Sequence, residues 1–155
     1  MAAPFTKTVR GVEIPTVAIG VFEVDPGETE ETVADALAAG YRHVDTAAAY
    51  LNEEEVGRGL ARSGVDRDEV WVTTKVWLSE FAPDKLRQSA ERSLRWLGID
   101  RIDLLLLHWP PQDGSELEPA LEALTAQNIP YLVKGPASYE HDVAALRGDA
   151  AATIQ

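Results

Sequence analysis

The 155-residue sequence has no cysteine, a single methionine, and only 14 lysines and arginines against 26 aspartates and glutamates. Without cysteine there is no disulfide and no thiolate metal ligand, and a reducing compartment, the cytoplasm, is the expected location. No apolar run approaches the ~20 residues that a membrane-spanning helix needs. The longest, around Leu104 to Leu107, is far shorter. The opening MAAPFTKTVRGVEIP lacks the apolar stretch of a secretory signal. The shortage of basic residues leaves a formal net charge of −12. Such a surface repels nucleic acid and anionic lipid, so neither is an expected partner. No metal site is expected either. An anionic cofactor would have to be met by backbone amides or by a local basic cluster.

What is present is ordinary for a globular domain, with 45% hydrophobic and 26% charged residues. Short apolar runs alternate with longer amphipathic segments, the order expected of an α/β fold with a parallel sheet and flanking helices. Phe5–Val9 and Val12–Ile14, around Arg10-Gly11, read as an N-terminal β-hairpin. Strands are then predicted at Val17–Val21, His43–Asp45, Val70–Val76 and Asp103–Trp109. Helices are predicted at Thr29–Ala39, from Asn52 to Ser63-Gly64, and at Pro83–Leu97 with Leu86, Ala90, Leu94 and Leu97 as its buried stripe. Asp25-Pro26-Gly27 reads as a turn. Asn52, with Glu55 three residues on, has the pattern of a reciprocal helix cap.

After Pro110-Pro111 the character changes. A helix from Ser115 to about Gln127, a strand at Ile129–Val133, a weaker helix at Ser138–Arg147 and a strand at Ala150–Ile154 are expected. Residues 1–155 are expected to form one α/β domain, divided into 1–111 and a divergent βα tail over 112–155.

Four polar residues, Asp45, Tyr50, Lys75 and His108, fall at the ends of predicted strands or in the loops just after them. In parallel α/β folds that is where the open crevice lies. Each alone has a structural explanation: a loop cap, a packed phenol, a snorkelling lysine, a satisfied core histidine. Their recurrence at one end of successive strands points to a shared site.

The residues that carry a resemblance are GVEIPTVAIG, then AGYRHVDTAAAYLNEEEVGRGLARSGVDRDEVWVTTKVW, then SLRWLGIDRIDLLLLHWPP. Over about Arg10 to Pro111 the chain resembles the N-terminal half of the aldo-keto reductases. The resemblance implies a (β/α)₈ barrel, here partial, and NADPH-dependent reduction of a small aldehyde or ketone. By position it makes Asp45, Tyr50, Lys75 and His108 the catalytic residues, and Gly20, Val21 and Asp45 cofactor contacts. Phe22, Trp77 and Trp109 match the substrate pocket, with packing at a barrel mouth as the alternative. In the implied mechanism Tyr50 donates a proton to the carbonyl oxygen, Lys75 stabilises the phenolate, Asp45 holds Lys75, and His108 orients the substrate. Three positions depart from the family pattern: Leu51 stands where glycine is usual, Val21 where threonine is common, and WLSEFAPD lacks the usual asparagines.

A closed barrel typically takes ~250 residues. Most of the family's NADPH contacts lie in its second half, and none has a counterpart after Pro111. The tail resembles, faintly, the later part of a response-regulator receiver domain, a flavodoxin-like fold, but without the phospho-acceptor aspartate. A natural truncation, a gene fusion and a fold chimera all describe such a sequence. The expected protein therefore has reductase ancestry with little or no turnover; the alternatives are an active small carbonyl reductase and a protein-interaction module. Pairing of two copies through open sheet edges is also expected.

Overall fold

The computed structural model describes residues 5–9, 12–109, 119–120, 122–123 and 131–133. The predicted hairpin is β1 (Thr6–Val9) and β2 (Val12–Pro15), paired antiparallel with Thr6 opposite Pro15. The main fold follows as β3 (Ile19–Gly20), α1 (Pro26–Ala38), β4 (His43–Asp45), α2 (Glu53–Ser63), β5 (Trp71–Val76), α3 (Pro83–Leu97), β6 (Leu104–Leu107) and β7 (Tyr131–Val133). Strands β3 to β7 lie in sequence order in one parallel sheet. Parallel neighbours need crossovers, and helices supply them, so the predicted α/β class is realised.

The burial pattern explains the sheet. All four residues of β6, LLLL, are buried, as a central strand covered on both faces requires. Val33, Leu37, Val56 and Leu60 from α1 and α2 meet Val44, Val70 and Val72 in one apolar cluster. Leu86 and Ala90 of α3 meet Val76, Leu105, Leu107 and the fully buried Phe81 in a second. Enclosing each of these large side chains contributes about 1.5–3 kcal/mol. Helix α2 sits close to both neighbours through two glycines. A Cβ on Gly57 would stand 2.4 Å from the Leu97 carbonyl oxygen, and one on Gly59 would stand 2.7 Å from the Val33 Cβ. Any side chain there would push the helices apart.

Three expectations need correction. Helix α1 begins at Pro26, not Thr29: Asp25 caps it, accepting the Gly27 N–H at 2.7 Å, and Pro26 takes the first helical position where no N–H is needed. The predicted strand Val17–Val21 shrinks to Ile19–Gly20, with Val17 half-exposed, because among the described residues β3 pairs with β4 alone. On α3, Leu94 is half-buried, and the inner stripe is Leu86, Ser89, Ala90, Ser93 and Leu97.

Residues 119–120 and 122–123 are helical, inside the helix predicted from Ser115, and Ala120 reaches the second cluster. The predicted helix Ser138–Arg147, the strand Ala150–Ile154 and nearly all of the receiver-like tail lie outside the described residues. Among the described residues no helix is long and apolar enough to cross a membrane, and no three histidine or acidic side chains gather as a metal site.

Candidate functional site

Each predicted catalytic residue is placed by a strand end. Asp45 closes β4, Lys75 is the penultimate residue of β5, and His108 follows β6 directly, its N–H bonded to the Val76 carbonyl at 3.0 Å. Tyr50 ends a one-turn 3₁₀ helix, Ala48–Tyr50, just past β4. The parallel register sets Asp45 level with Thr73 and Lys75 level with Leu106, so these residues meet at the C-terminal end of the sheet.

The centre is the Lys75 ammonium, 4% exposed. It donates to Asp45 Oδ1 at 2.5 Å, to the Thr46 carbonyl at 2.8 Å and to Tyr50 Oη at 3.3 Å. A lysine ammonium has three donors and no acceptor. All three donors are therefore in use, and in the last contact the phenol oxygen is the acceptor. The phenolic proton stays free to point elsewhere.

Aromatic rings enclose the phenol. Phe22 lies against Tyr50 at 5.0 Å between centroids, and His108 meets Tyr50 edge-on at 5.7 Å. Trp77 meets His108 at 5.1 Å and 89°, and the Trp109 ring is parallel to that of His108 at 6.4 Å and 5°. Phe22, Trp77 and Trp109 are all exposed, a rim of apolar surface around buried polar groups. Gly20 is exposed with nothing within 4 Å of where a Cβ would stand, whereas Val21 is fully enclosed in the first apolar cluster.

Sequence reasoning missed a second set of polar residues behind these. Asn52 occupies the cap position of α2, but its side chain makes no cap bond. Instead Nδ2 donates to the Val21 carbonyl at 3.0 Å and more weakly to the Val24 carbonyl and the Thr29 hydroxyl, tying α2 to the loop that carries Phe22. Glu55, its expected partner, pairs with Arg58. Glu53 is 2% exposed, with Oε1 accepting from the Thr74 hydroxyl at 2.6 Å and Oε2 from the Ser93 hydroxyl at 3.0 Å. Burial pushes its carboxyl above the usual carboxylate range, against the opposing pull of those hydroxyls and of Arg92 and Lys75. The available signal was the polar pair Ser89 and Ser93 on the inner stripe of α3.

His43, at the start of β4, is bound on both ring nitrogens: Nδ1 to the Pro15 carbonyl at 2.9 Å and Nε2 to the Thr73 hydroxyl at 2.8 Å. A carbonyl only accepts, so Nδ1 carries a hydrogen, while the Thr73 hydroxyl can either give to Nε2 or take from it. Burial lowers the pKa of His43 and so favours the neutral ring, in which Nε2 accepts from the hydroxyl.

Known proteins are similar to this chain in sequence and fold. The model of the Aldo/keto reductase family matches residues 16–128. A Mycobacterium aldo-keto reductase is 52% identical over 110 residues, which is 71% of this chain and 40% of that protein. A crystal structure of an aldo/keto reductase from Brucella melitensis superposes with a TM-score of 0.79 at 34% identity, over 94% of this chain and 58% of its own. The Bombyx mori aldo-keto reductase in complex with NADP gives 0.72 at 35% identity, over 85% and 51%. The chain thus spans less than two thirds of the length of these relatives.

Proposed function

The chain belongs to the aldo/keto reductase family, and from that premise we propose that its site reduces the carbonyl of a small aldehyde or ketone, with NADPH as the source of hydride and Tyr50 as the proton donor. When bound, NADPH would supply a hydride to the carbonyl carbon, and negative charge would then grow on the carbonyl oxygen. Everything else is work for this chain's own side chains.

Tyr50 gives its free proton to that oxygen. A free phenol has a pKa of ~10 and is a slow acid near neutrality. The phenolate left behind faces the Lys75 ammonium, which stabilises it. Asp45 and the Thr46 carbonyl keep that ammonium from swinging away. His108, edge-on to Tyr50, stands where it can polarise the same oxygen and orient the carbonyl. Phe22, Trp77 and Trp109 exclude water and offer apolar walls to a small substrate.

The residues present suit the hydride-donating end of the cofactor. Gly20 leaves flat, open backbone at the rim, and the Asp45 side chain is 32% exposed beside Lys75. The rest of the family's NADPH contacts lie in a second half that has no counterpart after Pro111, so the fit is to the hydride-donating end alone. The observation that carries the proposal is the direction of one hydrogen bond: Lys75 gives to Tyr50, so Tyr50 can give to a substrate.

The test is a titration of the chain with NADPH, read as quenching of tryptophan emission, followed by turnover of a small aldehyde. Tyr50→Phe is expected to keep saturable quenching and to lower turnover by about 10²–10⁴-fold. Turnover by Tyr50→Phe equal to that of the parent chain would overturn the proposal.

A further inference from the structure

Tyr50 and Trp77 stand on different loops, yet each lies three residues ahead of a glutamate held by the same helix. Glu53 accepts from Ser93 of α3, and Glu80 accepts from Ser89 of α3 at 2.7 Å. The two serines are one helical turn apart on the inner stripe, 1% and 2% exposed. Arg92 reinforces the second arm, with Nη2 at 2.8 and 2.7 Å from the two Glu80 oxygens and 3.1 Å from Ser89 Oγ. Thr74, next to Lys75 on β5, reinforces the first at 2.6 Å.

From this we infer that Ser89 and Ser93 of α3 are positioning residues that set the gap between Tyr50 and Trp77, and with it the size of carbonyl compound that fits against His108. The inference rests on the reductase reading for its functional meaning, but its geometry stands alone. His108 is the gauge, since its ring is edge-on to both Tyr50 and Trp77.

Both serines are buried where a helix usually places an alanine or leucine. For helix formation and apolar packing alone, Ala at either site is as good or better. A buried hydroxyl without a partner is unfavourable, whereas one donating to a carboxylate makes a short, directed bond. The serines therefore fix direction more than they add to packing. The two turns they hold differ in what else secures them. The Glu80 turn is also anchored by Phe81, fully enclosed among Leu86, Leu105 and Leu107. The Tyr50 turn is followed by the exposed Leu51, so Asn52 and Glu53 are its buried anchors. The Glu53 arm is thus the more decisive of the two.

The experiment measures nuclear Overhauser cross peaks between the His108 ring protons and those of Tyr50 and Trp77 in the full chain. Ser93→Ala is expected to weaken the Tyr50 peak by about twofold, as a displacement of roughly 0.5 Å would, and to leave the Trp77 peak intact. Ser89→Ala is expected to do the reverse. Glu53→Gln keeps an acceptor oxygen for one of the two hydroxyls and offers an amide N–H that the other can accept, and is expected to preserve both peaks. Should Ser93→Ala not fold, Thr74→Val cuts the same arm from the other side and is expected to weaken the same peak. Loss of both peaks in either serine variant, or of neither, overturns the inference, since general loosening has no such selectivity. Turnover does not enter the readout. A chain that reduces nothing but shows the selective losses would refute the reductase proposal and leave this one standing.

Discussion

At either end of β5 a cation is sunk between an aspartate and backbone carbonyls, and only one of the two arrangements is left open. Before the strand, Arg67 donates to the Val70 and Arg101 carbonyls and to Asp103 Oδ2 at 2.5 Å. Asp103 is in turn bound by the Val72 N–H at 2.8 Å and by Arg101 Nε at 3.2 Å. Every contact there ends on another structural group. After the strand, Lys75 is held by Asp45 and Thr46 in the same manner, but its third donor goes to a phenol whose proton is unspent. The Arg67 end also borders a cavity of about 410 Å³, lined by Leu60, Val65, Val70 and Leu97 between α2 and α3. Cavity size does not mark the chemistry here. Under the proposed function, an unspent proton beside a fixed cation does.

Exchanging each cation for methionine gives the largest contrast. Lys75→Met is expected to lower carbonyl turnover by about 10²–10⁴-fold, followed as NADPH consumption. Arg67→Met is expected to leave turnover per folded molecule unchanged. If Arg67→Met abolished turnover in fully folded protein, the distinction between the two ends would fail.

In unfolding experiments the effect falls on the other end. Arg67→Met takes from Asp103, with a side chain 14% exposed, the shorter of its two ion pairs and leaves it the Arg101 Nε contact at 3.2 Å and the Val72 N–H. A loss of about 2–3 kcal/mol is expected in the urea midpoint, somewhat less than for a fully buried pair. Equal unfolding curves for Arg67→Met and the parent chain would show the cluster to be a surface ornament.

The two glutamates held by the serines of α3 sharpen the comparison through pH. Burial raises the Glu53 pKa above the ordinary value, so the folded state holds that proton more tightly than the unfolded chain. Its contribution to stability is complete below the unfolded pKa of about 4.5 and is lost as pH rises through the folded value. Glu80 has the opposite sign. Burial acts to raise its pKa, but the bonds from Arg92 and Ser89 outweigh that and leave it lowered. Its contribution is present above the unfolded value and is lost as pH falls through the folded one. Glu53→Gln is expected to flatten the decline on the higher-pH side, and Glu80→Gln the loss on the acid side, each by about 1 kcal/mol in urea midpoints taken across that range.

Which parts of this were legible in the sequence follows from how far each signal reaches. Strands β4, β5 and β6 announced themselves through β-branched and leucine runs, and Gly64 and Gly98 marked their helix ends, because those signals are local. Asp45, Tyr50, Lys75 and His108 were placed by strand ends and by resemblance, and the structure brings Asp45, Lys75 and Tyr50 into hydrogen-bond contact with His108 edge-on to the phenol. Asn52 shows the limit. Its position as the residue before α2 was readable, but its side chain bonds the Val21 carbonyl 31 residues away, and no local pattern encodes that. Glu53, first of an EEE run at the start of α2, carries no sequence signal that separates it from its exposed neighbour Glu54, although the middle of the fold encloses it. The serines of α3 were passed over because small polar residues on an apolar stripe are invisible to a hydrophobic period.

Backbone conformation separates the two ends as well, and supplies the smallest effect. The loops leading into β4, β5 and β6 turn through Gly40, Gly64 and Gly98, all at positive φ. Among the described residues, the non-glycine positions at positive φ are Glu23 and Leu51, both on the loops around Tyr50. Leu51, at φ 58° and ψ 28°, is left-handed and 78% exposed, so nothing is gained from its packing. A left-handed residue with a Cβ costs roughly 1–2 kcal/mol. Glycine removes that strain but adds freedom to the unfolded chain worth about 0.4–1 kcal/mol. Leu51→Gly is therefore expected to raise stability by about 0.5–1 kcal/mol in a urea midpoint, without touching the Lys75 to Tyr50 bond. Gly64→Ala, the mirror change at the other end, is expected to lower stability by a similar amount, since its Cβ meets open space and only the strain is added. If Leu51→Gly were destabilising instead, the leucine would be holding Tyr50 in place through a contact of its own, and strain at the active end would be serving position as directly as the glutamates do.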